Sequence, residues 1–313
     1  GTIGASRSIK FSKMNEQSER AIELVFSAKK PSFFTSFVMT MLINMLNGDP
    51  SPSVFEAITR IIVKDTDNSL PFLGPVITGF TNAIGSSAET DDLLFNQLEL
   101  IALSAQLHMT PFIKNMQSIL VNNFTNMNCV RLCSVLSYHL KTEFNECAAS
   151  LYPIALHHMS TTKNAYFKIV VKFVVYAILY QNENVEFFIE TIELLMGQNS
   201  KTATDDSRIS FLMKSLSTLF QKLRLSMFTA RMARLCFDLI EKKKRMNEIL
   251  QLLYNLIIFG HLSIDLIEQM YQLPHLDEIR QASMKGSLMI DDFNFVKRFT
   301  PGLVTDHLNN VLS

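Results

Sequence analysis

Apolar residues recur at spacings of three and four along almost the whole chain, which is the pattern of amphipathic helices. An early example is the run Phe33, Phe34, Phe37, Val38, Met41, Leu42, Met45 and Leu46. Alternation with the two-residue period of a strand never extends beyond a few residues. The pattern therefore predicts an all-helical protein.

The predicted helices come in pairs that are joined by short turns. The clearest pairs are 93–107 with 111–124, 129–140 with 146–159, 166–180 with 185–196, 208–223 with 227–240, and 246–259 with 264–273.

Two helix starts have sequence signals. Ser53 and Glu56 fit a capping box that opens one helix, and Thr90-Asp91-Asp92 places carboxylates at the positive end of another.

A proline-containing helical stretch that begins at Leu70 returns later in the chain. Phe112 follows Phe72 by 112 − 72 = 40 residues, and Pro153 follows Pro75 by 153 − 75 = 78 residues, or two steps of 39. A helical period near 40 is typical of HEAT and armadillo repeats. We therefore expect an α-solenoid of antiparallel helix pairs over residues 15–274, with a step of 37 to 40 residues and with Phe72, Phe112 and Leu151 buried between neighbouring repeats.

Three segments lie outside this pattern. Residues 1–14 form a polar lead-in, and residues 275–313 are expected to be an irregular or helical C-terminal cap or linker. The polar stretch from Gly197 to Asp206 is expected to be mobile and to be cut first by a protease. The chain begins with Gly1 and not with Met, which indicates a piece of a longer protein.

Composition narrows the classes of partner. Twenty-nine basic residues balance 29 acidic ones, so no overall field directs the chain to nucleic acid or to anionic membrane. Four cysteines are too few for a disulfide framework and favour the reducing cytoplasm. The most apolar run, residues 169–180, contains Lys172 and is shorter than the ~20 residues that span a bilayer. We therefore expect a cytoplasmic protein with no transmembrane segment and no nucleic-acid partner.

Motifs for catalysis are missing from the sequence. It has no G-x-S-x-G elbow, no phosphate-binding glycine loop, and no H-R-D or D-F-G kinase motif. Cys129 and Cys133 are four residues apart and could supply two metal ligands, with His157 and His158 as completing ligands. Their apolar neighbours favour the alternative that they are buried structural residues. We expect no catalytic site, no cofactor and no metal.

One stretch, residues 222–245, is strongly basic. Eight basic residues face only Asp238 and Glu241 there, an excess of six. The candidate interaction surface, called the basic stretch below, consists of Arg231, Arg234, Lys242, Lys243, Lys244 and Arg245. On a rim of the solenoid it would attract an acidic protein segment by salt-sensitive association. The alternatives are a plain solvated loop and a nucleic-acid surface.

Five segments carry a family resemblance: Gly1–Ala5, Asp49-Pro50-Ser51, Leu70–Ile77, Phe95–Ile101 and Met109–Phe112. They resemble, in that order, the start of "G-x-L-G-A-L-D-P-Y", the "R-D-P-S" turn, "F-L-P-x-V-x-P", "F-x-Q-L-x-x-L" and "I-R-P-Y" in the central region of target-of-rapamycin kinases. Ser6–Ile9 replace the Leu-Asp-Pro-Tyr of the first motif, and Asn47-Gly48 replace the Arg of the second. The resemblance covers residues 1–160, and it extends to about residue 235 by repeat pattern only.

This resemblance implies a non-catalytic scaffold segment of a serine/threonine kinase in nutrient and growth signalling. The kinase domain would lie outside this chain, and adaptor subunits would bind along the solenoid. It further implies a cytoplasmic protein that reaches membranes only peripherally through partners and that could form a homodimer at full length. The rival interpretation is a free-standing HEAT-repeat adaptor or a karyopherin-like transport receptor.

Overall fold

The computed structural model describes residues 16–27, 32–197, 206–242 and 247–273. All regular elements within these ranges are helices, and none is a strand, so the all-helical prediction is confirmed. The chain divides into two compact units, with the division between Leu140 and Lys141. The expected lead-in 1–14, the segment 275–313 and the interior of the polar stretch, 198–205, lie outside the described residues.

The first unit is built from eight helices among the residues described. They are α1 Glu16–Ser27, α2 Ser32–Leu46, α3 Pro52–Lys64, α4 Thr66–Ser69, α5 Leu73–Ala83, α6 Ala88–Ala105, α7 Ile113–Asn122 and α8 Met127–Leu140. Helix α6 packs between α3 and α8, and α5 lies against α2 and α6. In the core, the rings of Phe55 and Phe80 meet edge to face at 5.1 Å.

The second unit contains seven described helices. They are α9 Asn145–Thr161, α10 Asn164–Gln181, α11 Val185–Gly197, α12 Asp206–Lys222, α13 Thr229–Glu241, α14 Asn247–Ile258 and α15 Ile264–Tyr271. Helix α10 packs against α9 and α12, and α12 packs against α14. The apolar run 169–180 belongs to α10, where Val170, Phe173 and Val174 are fully buried. In the described ranges, no helix is both long and apolar enough to cross a membrane.

Two predicted helix starts differ from the observed ones. Helix α3 begins at Pro52, with Ser51 as its N-cap, so Ser53 lies inside the first turn and the capping-box prediction is wrong. Proline suits this position because its missing N–H would have no helical partner. Helix α6 is capped by Ser87, whose hydroxyl oxygen accepts a hydrogen bond from the Thr90 backbone N–H at 3.1 Å.

The same turn recurs before four helices. It is a short 3-10 helix that ends in phenylalanine, as in Leu70–Phe72, Gln106–Phe112, Lys141–Phe144 and Ser226–Phe228. The φ angles of these four residues, called the turn phenylalanines, are −98°, −98°, −99° and −100°. Their steps are 112 − 72 = 40, 144 − 112 = 32 and 228 − 144 = 84 residues, so the step is less uniform than the predicted 37 to 40.

The three residues predicted to be buried between neighbouring repeats, Phe72, Phe112 and Leu151, differ in how far they are buried. Leu151 is fully buried, as expected. Phe72 and Phe112 are only half-buried, unlike Phe144 and Phe228, which end the same kind of turn and are buried. The next residues, Leu73 and Ile113, are the first of the α-helices and occupy the core instead.

Hydrogen bonds between residues far apart in sequence link the helices within each unit. The donors and acceptors are Thr35 Oγ1 to Asp65 Oδ2 at 2.5 Å, Asn126 Nδ2 to Asp92 Oδ1 at 2.7 Å, Gln181 Nε2 to Lys141 O at 2.8 Å, Arg208 Nη2 to Thr162 O at 2.6 Å, and Thr229 Oγ1 to Gly260 O at 2.7 Å. The residues in these bonds are between 30 and 46 positions apart. We call this set the inter-helix ties.

Candidate interaction surface

The structure describes three residues of the basic stretch. Arg231 and Arg234 lie on α13, where Arg231 is half-buried and Arg234 is exposed. Lys242 follows the end of this helix, and its ammonium group forms an exposed ion pair with Asp238 at 2.8 Å. Lys243, Lys244 and Arg245 lie outside the described residues, and their place on a rim stays a prediction.

Arg231 is engaged by two carboxylates of α11. Its Nη2 atom lies 2.7 Å from Glu193 Oε2, and its Nε atom lies 3.1 Å from Glu193 Oε1, which makes a two-pronged pair. A third bond joins Nη1 to Glu186 Oε1 at 3.3 Å. The hydrogen bonds of Glu193 are the main reason why the pKa of Arg231 is raised above its usual value. The guanidinium therefore ties α13 to α11 within the second unit.

This pairing changes the charge of the predicted surface. Glu186 and Glu193 precede Arg231 by 45 and 38 residues, so they lie outside residues 222–245. Adding them reduces the excess of basic over acidic residues from six to four. Glu186 and Glu193 neutralise the charge of Arg231. The Arg231 side chain therefore stabilises the contact between two helices and is not a free charge for an acidic partner.

Helix α11 has an apolar outer surface as well as an apolar inner one. Its inner face contains four buried residues, Phe188, Ile189, Ile192 and Leu195. On the outside, Phe187 is 52% exposed and Leu194 is 69% exposed. All charged residues of the helix are glutamates, at positions 186, 190 and 193. Because Glu186 and Glu193 pair with Arg231, this outer surface combines apolar contact area with the carboxylate of Glu190.

An open pocket lies along this surface. It has a volume of about 590 Å3 and is lined by Glu190, Glu193, Leu194 and Gly197. At Gly197, an added Cβ atom would meet no atom of the described residues within 4 Å. The described lining therefore consists of one apolar side chain, two carboxylates and the last residue of the helix. We call Phe187, the four lining residues and this space the α11 pocket face.

The beginning of α11 is held firmly against α9. The Tyr152 hydroxyl donates to the Asn184 carbonyl oxygen at 2.7 Å, and the Asn184 side-chain oxygen accepts from the Glu186 N–H at 2.9 Å. Burial, and then the charge of Glu183, raise the pKa of Tyr152, so the phenol stays protonated as a donor. Burial also raises the pKa of Glu183. The α11 pocket face is thus presented by an anchored helix.

The cysteines and histidines considered as metal ligands have other surroundings. Cys129 and Cys133 are fully buried, and the Cys129 thiol donates to the Leu120 carbonyl oxygen at 3.6 Å. The ring centroids of His157 and His158 lie 6.2 Å apart. Burial lowers the pKa of His158, and the charge of the neighbouring His157 lowers it further. Within the described part of the chain, no group of three or more His, Cys, Asp or Glu residues could hold a metal ion.

Comparison with known proteins adds no relative to this description: no family model matches the chain, and the search of curated proteins found no match.

Proposed function

We propose that this chain is a non-catalytic helical-repeat scaffold of the HEAT or armadillo type, whose surface binds other proteins. The observation that carries this proposal is the recurrence of one backbone turn at Phe72, Phe112, Phe144 and Phe228, each at the start of a helix. A unit that repeats in this way buries its apolar side by packing on its neighbours. Such arrays typically use their extended surfaces for recognition.

For the parent protein, we propose a target-of-rapamycin-like serine/threonine kinase in nutrient and growth signalling. The support is the resemblance of the segments around Asp49-Pro50-Ser51, Leu70–Ile77 and Phe95–Ile101 to that family. The kinase domain would follow this chain, and adaptor subunits in the cytoplasm would bind the scaffold. In this proposal the chain positions partners and takes no part in phosphoryl transfer.

The test is to determine the full-length reading frame and to assay the purified full-length protein for kinase activity. A kinase domain downstream of Ser313, with phosphorylation of a protein substrate, supports the proposal. A stop codon close to Ser313 overturns the kinase assignment and favours the free-standing adaptor or karyopherin-like receptor. Recovery of defined partners by the full-length protein then tests the scaffold role separately from the kinase.

A further inference from the structure

The turn between α2 and α3 contains an asparagine–glycine pair that no helix covers. Asn47, Gly48 and Asp49 follow the last residue of α2, and all three are exposed. Asn47 is the only asparagine in the sequence that precedes a glycine. The turn lies between two buried residues, Leu46 and Ser51, which are 5% and 2% exposed. The pair is therefore displayed to solvent at a fixed place in the fold.

The fold does not require a glycine at position 48. Among the described glycines only Gly85 has a positive φ, so the backbone of Gly48 has a conformation that other residues also adopt. An added Cβ at Gly48 would stand 3.5 Å from the Met45 carbonyl oxygen and 3.8 Å from that of Asn44, which are ordinary contacts. Neither backbone strain nor close packing explains this glycine.

The missing side chain at position 48 leaves its amide nitrogen open to the side chain of Asn47. Without a Cβ, nothing on Gly48 shields this nitrogen from the side-chain carbonyl carbon, Cγ, of Asn47. The nitrogen loses its proton and attacks Cγ, so that a Cγ–N bond forms. The bond from Cγ to Nδ2 then breaks, and the side-chain nitrogen leaves as ammonia after taking up a proton. The product is a succinimide ring.

Water completes this reaction by opening the ring. Addition of water at Cγ breaks the new Cγ–N bond and leaves aspartate at position 47 with a normal backbone. Addition at the backbone carbonyl carbon leaves isoaspartate, in which the main chain runs through Cγ and is longer by the Cβ methylene. Both products carry a carboxylate in place of the neutral amide, and no oxidant or reductant takes part.

One hydrogen bond has to open before the nitrogen can react. The Gly48 N–H donates to the Met45 carbonyl oxygen at 3.2 Å. Helix ends fray, and exposed hydrogen bonds there open locally at little cost in free energy. The nitrogen is therefore reachable without unfolding of the first unit.

Two other exposed asparagines provide a comparison within the same unit. Asn82 belongs to α5 and is followed by alanine, whose Cβ shields the next nitrogen. Asn68 precedes Ser69, which is buried and whose N–H donates to the Asp65 carbonyl oxygen at 3.2 Å. The side-chain nitrogen of Asn68 also donates to Asp65 Oδ1 at 2.8 Å. Both asparagines are therefore less ready to form the ring than Asn47.

We propose that Asn47 is a site of spontaneous deamidation, which converts the turn between α2 and α3 into a mixture of aspartate and isoaspartate as the protein ages. The modification needs only water and is independent of the scaffold function proposed above. It places a carboxylate next to Asp49 in sequence and after the last residue of α2. This is the negative end of the helix dipole, where an added negative charge is unfavourable.

The experiment follows the full chain during prolonged incubation in neutral buffer. Peptide mass spectrometry measures the conversion of each asparagine, and methylation by a protein isoaspartate methyltransferase detects isoaspartate. Gly48→Ala is the test variant, because an added Cβ fits the turn and shields the nitrogen. Asn47→Gln removes the reacting side chain, and Asn82→Gln is the matched control at an exposed helical asparagine. Thermal unfolding checks that each variant retains the fold.

In the wild type we expect position 47 to be converted before Asn68 and Asn82, with isoaspartate among the products. Gly48→Ala should slow the conversion by about tenfold or more, which corresponds to a rise of ~1.4 kcal/mol in the barrier. Asn47→Gln should remove the isoaspartate signal of this turn, and Asn82→Gln should leave the rate at Asn47 unchanged.

Four results overturn the proposal. They are conversion of Asn68 or Asn82 as fast as that of Asn47, a wild-type rate in Gly48→Ala, an unmodified Asn47 in the folded chain when the same chain in urea is converted, and aspartate without isoaspartate at position 47. The last result would indicate direct hydrolysis of the side-chain amide and no attack by the Gly48 nitrogen.

Discussion

The ring of Phe112 lies against the backbone of Gly74, with its Cε1 atom 3.6 Å from the point where a Cβ on Gly74 would stand. The two residues are 112 − 74 = 38 positions apart and sit at the starts of two different helices, α7 and α5. A turn phenylalanine of one helix pair thus covers the beginning of the corresponding helix in the preceding pair. The half-buried ring is a contact between consecutive structural elements of the first unit.

Alanine substitutions of two turn phenylalanines should lower the free energy of unfolding by different amounts, because one ring is fully buried and the other is half-buried. Phe144→Ala removes a ring that is 0% exposed and should lower the free energy of unfolding by about 3–5 kcal/mol. Phe112→Ala removes a half-buried ring and should cost roughly half of that. Denaturant unfolding of the two variants measures the difference. Equal losses would contradict the proposed difference in packing.

Two glycines of α5 should differ in their response to alanine. At Gly74 the added Cβ makes an ordinary contact with Phe112. Its gain in helix propensity is opposed by the clash of a Cβ with the following Pro75, so Gly74→Ala should change stability by less than about 1 kcal/mol. At Gly79 the Cβ would overlap the side chain of Leu46, with the Cγ atom at 2.7 Å. Because Leu46 is only 5% exposed, Gly79→Ala should destabilise by about 1–3 kcal/mol.

A second substitution checks the cause of that loss. Shortening the opposing side chain in the double variant Gly79→Ala with Leu46→Val should recover part of the stability that Gly79→Ala loses. Leu46→Val alone serves as the reference, since it removes a methyl group without adding one opposite. If the double variant is less stable than the sum of the two changes predicts, overlap with Leu46 is not the reason.

The bond between Arg231 and Glu193 should give a measurable but modest coupling. Both side chains are about one-third exposed, at 33% and 35%. A double-mutant cycle with Arg231→Gln and Glu193→Gln should therefore yield about 0.5–1 kcal/mol, a typical value for a surface pair of good geometry. Raised salt should reduce it. Zero coupling at low salt would show that the pair adds no net stability to the contact between α11 and α13.

Glu183 should make the stability of the second unit depend on pH. Burial raises its pKa above the usual 4.5, so the folded state binds the proton more tightly than the unfolded state does. The carboxylate is therefore unfavourable above the folded pKa, and this penalty disappears as the pH falls below 4.5. We expect Glu183→Gln to raise the melting temperature at pH 7 and to lose this advantage in acid. Glu190→Gln, an exposed glutamate, is the matched control.

Helix positions could be predicted from the sequence because most helices have a single apolar stripe. The predicted segments 129–140 and 185–196 differ from α8 and α11 by two residues or fewer at each end. Helix caps were harder to predict, since several residues near each start can accept a backbone hydrogen bond. The N-cap of α3 is Ser51, although its side chain forms no cap bond, and Ser53 is the second residue of the helix. The capping-box pattern at Ser53 was therefore a false signal.

The α11 pocket face could not be predicted because its residues look like core residues. Phe187 and Leu194 lie among Phe188, Ile189 and Leu195 in sequence, and only the packing shows which of them are exposed. The pairing of Arg231 was hidden for a different reason. A sum of charges over neighbouring residues misses a glutamate 38 positions away, although the packing of the helices brings that residue alongside Arg231.

The inter-helix ties have a consequence for how the chain matures during synthesis. The two residues of each tie are no more than 46 positions apart. The second residue is therefore synthesised soon after the first. Contacts of short sequence separation also form at a low cost in loop closure. Arg208, for example, can dock on the end of α9 without any contact from α13. The growing protein can therefore form these contacts one after another, in the order in which the residues emerge.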